Sequence, residues 1–185
     1  EVKYLQITDI GYILRWYVEE PNLAGYMASN KFVLGLDTSE ATGGDDIGFY
    51  LINTSTARVV CSAKINETNI ITFSQWLADF LCQYTNLTLI PERRSTGGTI
   101  IDYLLRILPT KNEDPFARIF NLVVHDADLD SERYNEIRQG SRRNPDTLIR
   151  YRKLFGYSTS GAGQTSRSKL YSDTLFLILR KLDGR

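Results

Sequence analysis

Two carboxylates each close an apolar run in this sequence. Asp37 follows Phe32-Val33-Leu34-Gly35-Leu36, and Glu92 follows Asn86–Ile90 and Pro91. The first run is almost uniformly apolar and reads as a strand buried on both faces, and Asn86–Ile90 reads as a further strand. In open α/β sheets, ligands gather at the carboxyl ends of the strands, where both acids stand. Paired hard oxygen ligands suit Mg²⁺ or Mn²⁺ and suit zinc poorly. Two such ions can activate a water and stabilise the departing oxygen of a phosphodiester. Asp45 and Asp46 open the next strand and could supply a further oxygen; a hairpin-turn pair is an equal reading of them. Taken singly, Asp37 would be a turn former and Glu92 a surface glutamate. The chemical reading depends on the fold bringing the two together.

Other chemistries drop out. His125 is the only histidine among 185 residues, which excludes a two-histidine metal site within one chain. The sequence has no Gly-x-Ser-x-Gly elbow and no Gly-x-x-x-x-Gly-Lys-Ser/Thr phosphate loop. The 22 basic and 22 acidic side chains cancel, so no all-over basic surface exists, although a local patch can. Cys61 and Cys82 lie in apolar segments and read as buried free thiols. With 42% hydrophobic and 24% charged residues the composition is globular. No apolar run approaches a membrane span, and no basic-then-apolar leader opens the chain, so secretion is not expected and the Asn-x-Ser/Thr triplets at Asn53, Asn66 and Asn86 read as chance.

The elements that must position the acids follow from periodicity. Residues 1–30 read as an irregular lead-in arm or linker, with a short helix around Ile10–Tyr17. A domain then spans 31–185. Phe32–Leu36, Ile47–Ile52 and Arg58–Ala63, joined by short turns, predict an antiparallel meander. Phe73, Trp76, Leu77, Phe80, Leu81 and Tyr84 fall on a helical stripe whose capping box starts at Thr72. Asn86–Ile90 returns to strand, and Ile100–Leu108 forms a second helix. Asp114-Pro115 opens a third, with Phe116, Ile119, Phe120, Val123 and Val124 on one face. The chain is polar and weakly periodic from Asp126 to Lys153. Leu154–Ser158 reads as a short strand, a turn follows, and Tyr171, Leu175, Ile178, Leu179 and Leu182 share a face of a last helix. The expected architecture is α/β, a mixed sheet of three antiparallel strands and then parallel strands, with helices on both faces. A right-handed crossover sets the fourth strand beside the first, the order of an RNase H-like domain.

The stretch Val33-Leu34-Gly35-Leu36-Asp37-Thr38-Ser39-Glu40, then Gly43-Gly44-Asp45 and Ile47–Ile52, resembles the opening of the nuclease domain of tailed-bacteriophage large terminases. Pro91-Glu92-Arg93-Arg94-Ser95-Thr96-Gly97 resembles that family's second acidic motif. Tyr17-Val18-Glu19-Glu20-Pro21 with Gly25-Tyr26-Met27 is similar to the lead-in that joins its ATPase domain to its nuclease. Phe155–Thr159 and Thr165–Leu170 resemble its fifth strand and following helix. The resemblance implies an Mg²⁺- or Mn²⁺-dependent endonuclease that cuts concatemeric double-stranded DNA during genome packaging in the host cytoplasm. It implies Asp37 and Glu92 as ligands of two ions and Asp45 as a neighbour assisting them. Implied partners are the DNA, the portal, the small terminase subunit and an ATPase domain outside this chain, with no membrane. The family's third acid belongs to an acidic pair beyond the last helix seen here, and neither Asp173 nor Asp183 sits in that motif.

Residues 111–150 exceed what a minimal core of this kind needs and read as an insertion. This region and its edge hold Arg138, Arg142, Arg143, Arg150, Arg152 and Lys153, a solvated loop or a strip gripping DNA phosphates. Arg167 and Lys169 could join it. A non-catalytic DNA-docking or assembly module is the alternative, and half of an actin-like ATPase a weaker third reading.

Overall fold

The structure is a computed structural model that describes residues 1–38, 46–66, 68–124, 131–144 and 146–157. An interior strand of its sheet is β3 (Phe32–Thr38), where Phe32, Val33, Leu34 and Leu36 are buried as the apolar run requires. β4 (Ile47–Asn53) and β5 (Val59–Ile65) follow as the expected antiparallel meander. Helix α2 (Ile70–Gln83) crosses over, and β6 (Leu87–Pro91) lies parallel to β3, with Phe32 opposite Leu87 and Leu36 opposite Pro91. The sequence-predicted neighbourhood of these two strands is therefore present. Thr72 does not cap α2. Asn69 does, accepting from the backbone N–H groups of Ile71 and Thr72.

The N-terminal residues depart from the expected arm. β1 (Tyr4–Ile7) and β2 (Ile13–Trp16) form a hairpin, and β2 pairs with β5. The sheet thus has six strands in the order β1-β2-β5-β4-β3-β6. A strand replaces the helix expected near residues 10–17. Alternation explains it: Leu14 and Trp16 are buried while Ile13 and Arg15 are exposed. Gly11, at φ 87°, makes the turn. Helix α1 (Glu20–Ser29), with Pro21 in its first turn, buries Leu23 and Met27.

Helix α3 (Thr96–Thr110) starts earlier than its apolar stripe and buries Ile100, Ile101, Leu104, Leu105 and Leu108. The third expected helix shrinks to one turn, α4 (Pro115–Arg118), capped by Asp114 as its sequence indicates. Beyond it Ile119 bridges in parallel to Leu89 and Asn121 bridges to Phe155. The polar stretch holds helix α5 (Ser131–Arg143), α6 (Thr147–Arg150) and a 3₁₀ turn at Arg152–Leu154. Two bridges, at Phe155 and Tyr157, stand where a short strand was expected. The expected last helix and the turn before it lie outside the described residues.

The result is a mixed α/β fold, a six-stranded sheet flanked by helices. Every described helix contributes its buried apolar residues to one cluster, including Phe73 and Leu77 of α2, Leu104 of α3, Phe116 of α4, Ile137 of α5 and Leu148 of α6. Val33, Ile52, Ile90, Phe120 and Tyr157 form a separate cluster on the opposite face of the sheet. Among the described residues no helix is long and apolar enough to cross a membrane.

Candidate functional site

The parallel register decides where the two acids go. Gly35 lies opposite Ile90 and Leu36 opposite Pro91, so the next rung is Asp37 beside Glu92. Neighbouring strands run about 4.8 Å apart, and opposed residues of a parallel pair point to the same face. That face is the one carrying Val33 and Ile90. Asp37 is exposed, whereas Glu92 is fully buried. Both residues hold interactions within the chain.

Glycines shape the surroundings. Gly48 is opposite Asp37 on β4, and a Cβ there would stand 3.6 Å from the Asp37 Cβ and 3.2 Å from the Tyr50 ring. The Tyr50 ring therefore packs closely over the Gly48 backbone, next to Asp37. At Gly97, in the first turn of α3, a Cβ would fall 1.7 Å from the Glu92 carbonyl oxygen and 3.1 Å from Thr38 Oγ1. Only glycine lets this helix start directly over the ends of β3 and β6. Thr38 Oγ1 is buried there with no hydrogen-bond partner among the described residues.

The far side of Glu92 is closed by residues 155–157. Glu92 bridges in parallel to Tyr157; the Tyr157 N–H donates to the Pro91 carbonyl at 3.0 Å, and the Arg93 N–H donates to the Tyr157 carbonyl at 2.8 Å. Gly156 has φ 75°, and a Cβ on it would meet the Pro91 carbonyl at 2.7 Å. Sequence reasoning missed Thr38, Gly97, Gly156 and Tyr157 as parts of the site. The glycine between Phe155 and Tyr157 was the available signal, since a glycine inside a strand marks a close backbone approach.

The other site residues scatter. Asp46 forms an ion pair with Lys64 at 2.6 Å across β4 and β5. Asp45, Arg167, Lys169 and His125 lie outside the described residues. Arg152 and Lys153 line a cleft of about 470 Å³ with Arg93, Ser95, Thr99 and Asp102, at the start of α3. There the Arg93 guanidinium donates to the Lys153 carbonyl, and Arg152 pairs with Asp102 at 3.3 Å. Arg138 and Arg143 are exposed on α5, which also carries Arg142, and Arg150 is exposed at the end of α6. Among the described residues no three metal-ligating side chains of the His, Cys, Asp and Glu types converge. Of the cysteines, Cys61 is buried as expected and Cys82 is partly exposed.

What the arrangement offers chemically is a pair of carboxylates on adjacent parallel strands, beside a helix start and a cationic cleft. Neither the known protein-family models nor the curated protein sequences match this chain.

Proposed function

We propose that this chain is an RNase H-like, metal-dependent endonuclease domain of a viral DNA-packaging terminase, cutting concatemeric double-stranded DNA. The observation that carries the proposal is the register of β3 and β6, which makes Asp37 and Glu92 adjacent on one face of the sheet. Two further features support it. The order β5-β4-β3-β6, with Tyr157 bridging beyond Glu92, is the strand order expected of such a domain. The Arg93, Arg152 and Lys153 cleft opens next to Glu92 in the chain, suitably charged for a phosphodiester backbone.

The donor set fits Mg²⁺ or Mn²⁺, because both groups are carboxylates and the register of β3 and β6 makes them neighbours. Bound there, divalent ions would supply water activation and neutralise charge at the leaving oxygen. The protein's own contribution is positioning. Glu92 is fixed between the ladder of β3 and the Tyr157 bridge, so its backbone cannot drift. Asp37, exposed at the strand end, is the carboxylate that approaching DNA meets. Asp45 assists, and the cations of α5, α6 and the 3₁₀ turn hold the duplex. Portal, small subunit and an ATPase domain are the partners of this reading, and the host cytoplasm its place.

Supercoiled plasmid incubated with the chain in Mn²⁺ should be nicked. Asp37→Ala and Glu92→Ala should each lower the rate by roughly a thousandfold, matching several kcal/mol of lost charge stabilisation, with circular dichroism unchanged. Undiminished nicking by either variant refutes the assignment. The complete burial of Glu92 favours one competing reading, a DNA-docking module without catalysis. Calorimetric titration separates the two: absence of Mn²⁺ binding at millimolar concentration selects docking.

A further inference from the structure

We propose that Asp102 is a built-in competitor of DNA: its carboxylate takes the place of a phosphate on Arg152, and the DNA backbone must displace it to be held. This rests on reading the cleft at the start of α3 as a DNA-phosphate site. Ser95, Gly98, Thr99 and Asp102 follow one another at spacings of three and four, so they form one stripe along the start of α3. Arg152 and Lys153 of the 3₁₀ turn line the same cleft. Among the described residues that line it, Arg93, Arg152 and Lys153 are cations and Asp102 alone is an acid. A carboxylate among three cations is the one lining group that repels a phosphate.

The pair it forms is easily exchanged. Arg152 Nη1 donates to Asp102 Oδ2 at 3.3 Å, longer than the about 2.7–2.9 Å of a well-made charged hydrogen bond. The Arg152 and Asp102 side chains are 54% and 35% exposed, so water weakens their attraction. The other oxygen, Oδ1, is buried and has no hydrogen-bond partner among the described residues. A buried acceptor left without a donor costs free energy, so the pair adds little to the stability of the fold. A phosphodiester offers two oxygens to the planar fork of Arg152 and is drawn by Arg93 and Lys153 as well. Displaced, the Asp102 carboxylate turns to water, which satisfies both of its oxygens. It remains a negative charge beside the backbone, and it takes up a cation that offsets one released by the phosphate. The result is a weaker and less salt-sensitive grip than the three cations alone would give.

Fluorescence anisotropy of a dye-labelled duplex of about 30 base pairs, in EDTA and from roughly 50 to 200 mM NaCl, tests the proposal. Asp102→Asn and Asp102→Ser should each bind about fivefold more tightly at the lower salt, a gain that a misfolded chain cannot produce. The slope of log K against log [NaCl] should steepen by about one. In an Arg152→Ala background the same changes should gain less than about twofold, because the two residues act as one pair. Asp79→Asn removes an equal charge from the 2.6 Å pair with Lys111, in a different cleft, and should bind like the parent. Asp102 variants that bind no more tightly than the parent overturn the proposal. So does equal tightening by Asp79→Asn, or a gain that survives Arg152→Ala in full. EDTA keeps the cutting chemistry out of the measurement, so indifferent Asp102 variants of a chain that still nicks plasmid in Mn²⁺ sink this inference alone. A parent that does not bind the duplex overturns the DNA reading and this inference together.

Discussion

At the scale of single residues, the site depends most on atoms that are missing. Gly97 has no space for a Cβ, because the Glu92 carbonyl oxygen occupies it at 1.7 Å. Gly97→Ala must push α3 off the sheet end and should cost about 3 kcal/mol by urea denaturation, the upper range for overpacking. Gly25, inside α1, has nothing within 4 Å of its virtual Cβ. Gly25→Ala should therefore stabilise by about 0.5–1 kcal/mol, since alanine loses less backbone entropy in a helix. Equal effects of the two changes would show that the packing at Gly97 is wrong. A second residue-scale effect concerns pH. Burial pushes the Cys61 thiol up from its ordinary 9.0, so the folded chain keeps the proton that the unfolded chain releases. The unfolded state then binds fewer protons, and stability must fall as pH rises above about 9, by up to ~1.4 kcal/mol per pH unit. Below that pH the term is fully present. Cys61→Ala should flatten the alkaline slope by this amount relative to the parent; parallel slopes in a pH series of denaturation curves would contradict it.

At the scale of elements, the buried Arg118 holds the approach to β6. Its guanidinium donates to the carbonyls of Leu81 at 2.7 Å and Tyr84 at 2.8 Å, at the end of α2, and to Leu87 at 3.1 Å, while Glu113 balances its charge at 3.2 Å. One side chain thus closes the turn that delivers Glu92 to its place. Arg118→Met should leave those carbonyls without donors and Glu113 without its partner, costing about 3 kcal/mol and lowering Tm by roughly 6–12 °C. Arg118→Lys should recover little, because an ammonium cannot span three carbonyls in a plane. A melting temperature within 2 °C of the parent for the methionine variant would argue against this role. Nothing in the sequence near Arg118 signalled it, since its partners come from another element. The strands were legible for the opposite reason. Phe32–Leu36 is a continuous apolar run that needs cover on both faces, and Leu87, Leu89 and Ile90 make Asn86–Ile90 a mostly apolar one, so their character is local; the right-handed crossover between them then sets Asp37 near Glu92. The stretch after Asp114 misled because Phe116, Ile119 and Phe120 have helical spacing. Helix formation there loses to the open edge of β6: the Phe120 N–H donates to the Leu89 carbonyl at 2.8 Å, and Ile119 and Phe120 enter different clusters. Asn121 satisfies the broken helix, donating to the Phe116 and Ile119 carbonyls and accepting from Val123 and Val124. The hairpin of β1 and β2 was missed because four-residue strands give too short an alternation to stand out.

At the scale of the whole molecule, the N-terminal segment is part of the core that aligns the two acids. Trp16 is fully buried, Leu14 nearly so, and both join the cluster that contains Phe49, Phe73 and Phe80. The Trp16 indole N–H donates to Gln6 at 2.9 Å, which ties the two strands of the hairpin together. Tyr12 packs edge-on against Trp76 with ring centroids 5.1 Å apart, and Met27 and Leu23 close the same side. A chain beginning at residue 31 would keep Asp37 and Glu92 but uncover α2, whose Phe73 and Phe80 are now sealed by these groups. Loss of a buried large aromatic alone costs about 3–5 kcal/mol, and here several buried side chains go together. Stability of a domain this size is about 5–15 kcal/mol, so the remainder falls at or below zero. The shortened chain should therefore lack a cooperative thermal transition and bind a hydrophobic dye, whereas Trp16→Phe in the full chain should fold with reduced stability. A shortened chain with a sharp transition and unchanged Mn²⁺ binding would place the working unit after residue 30.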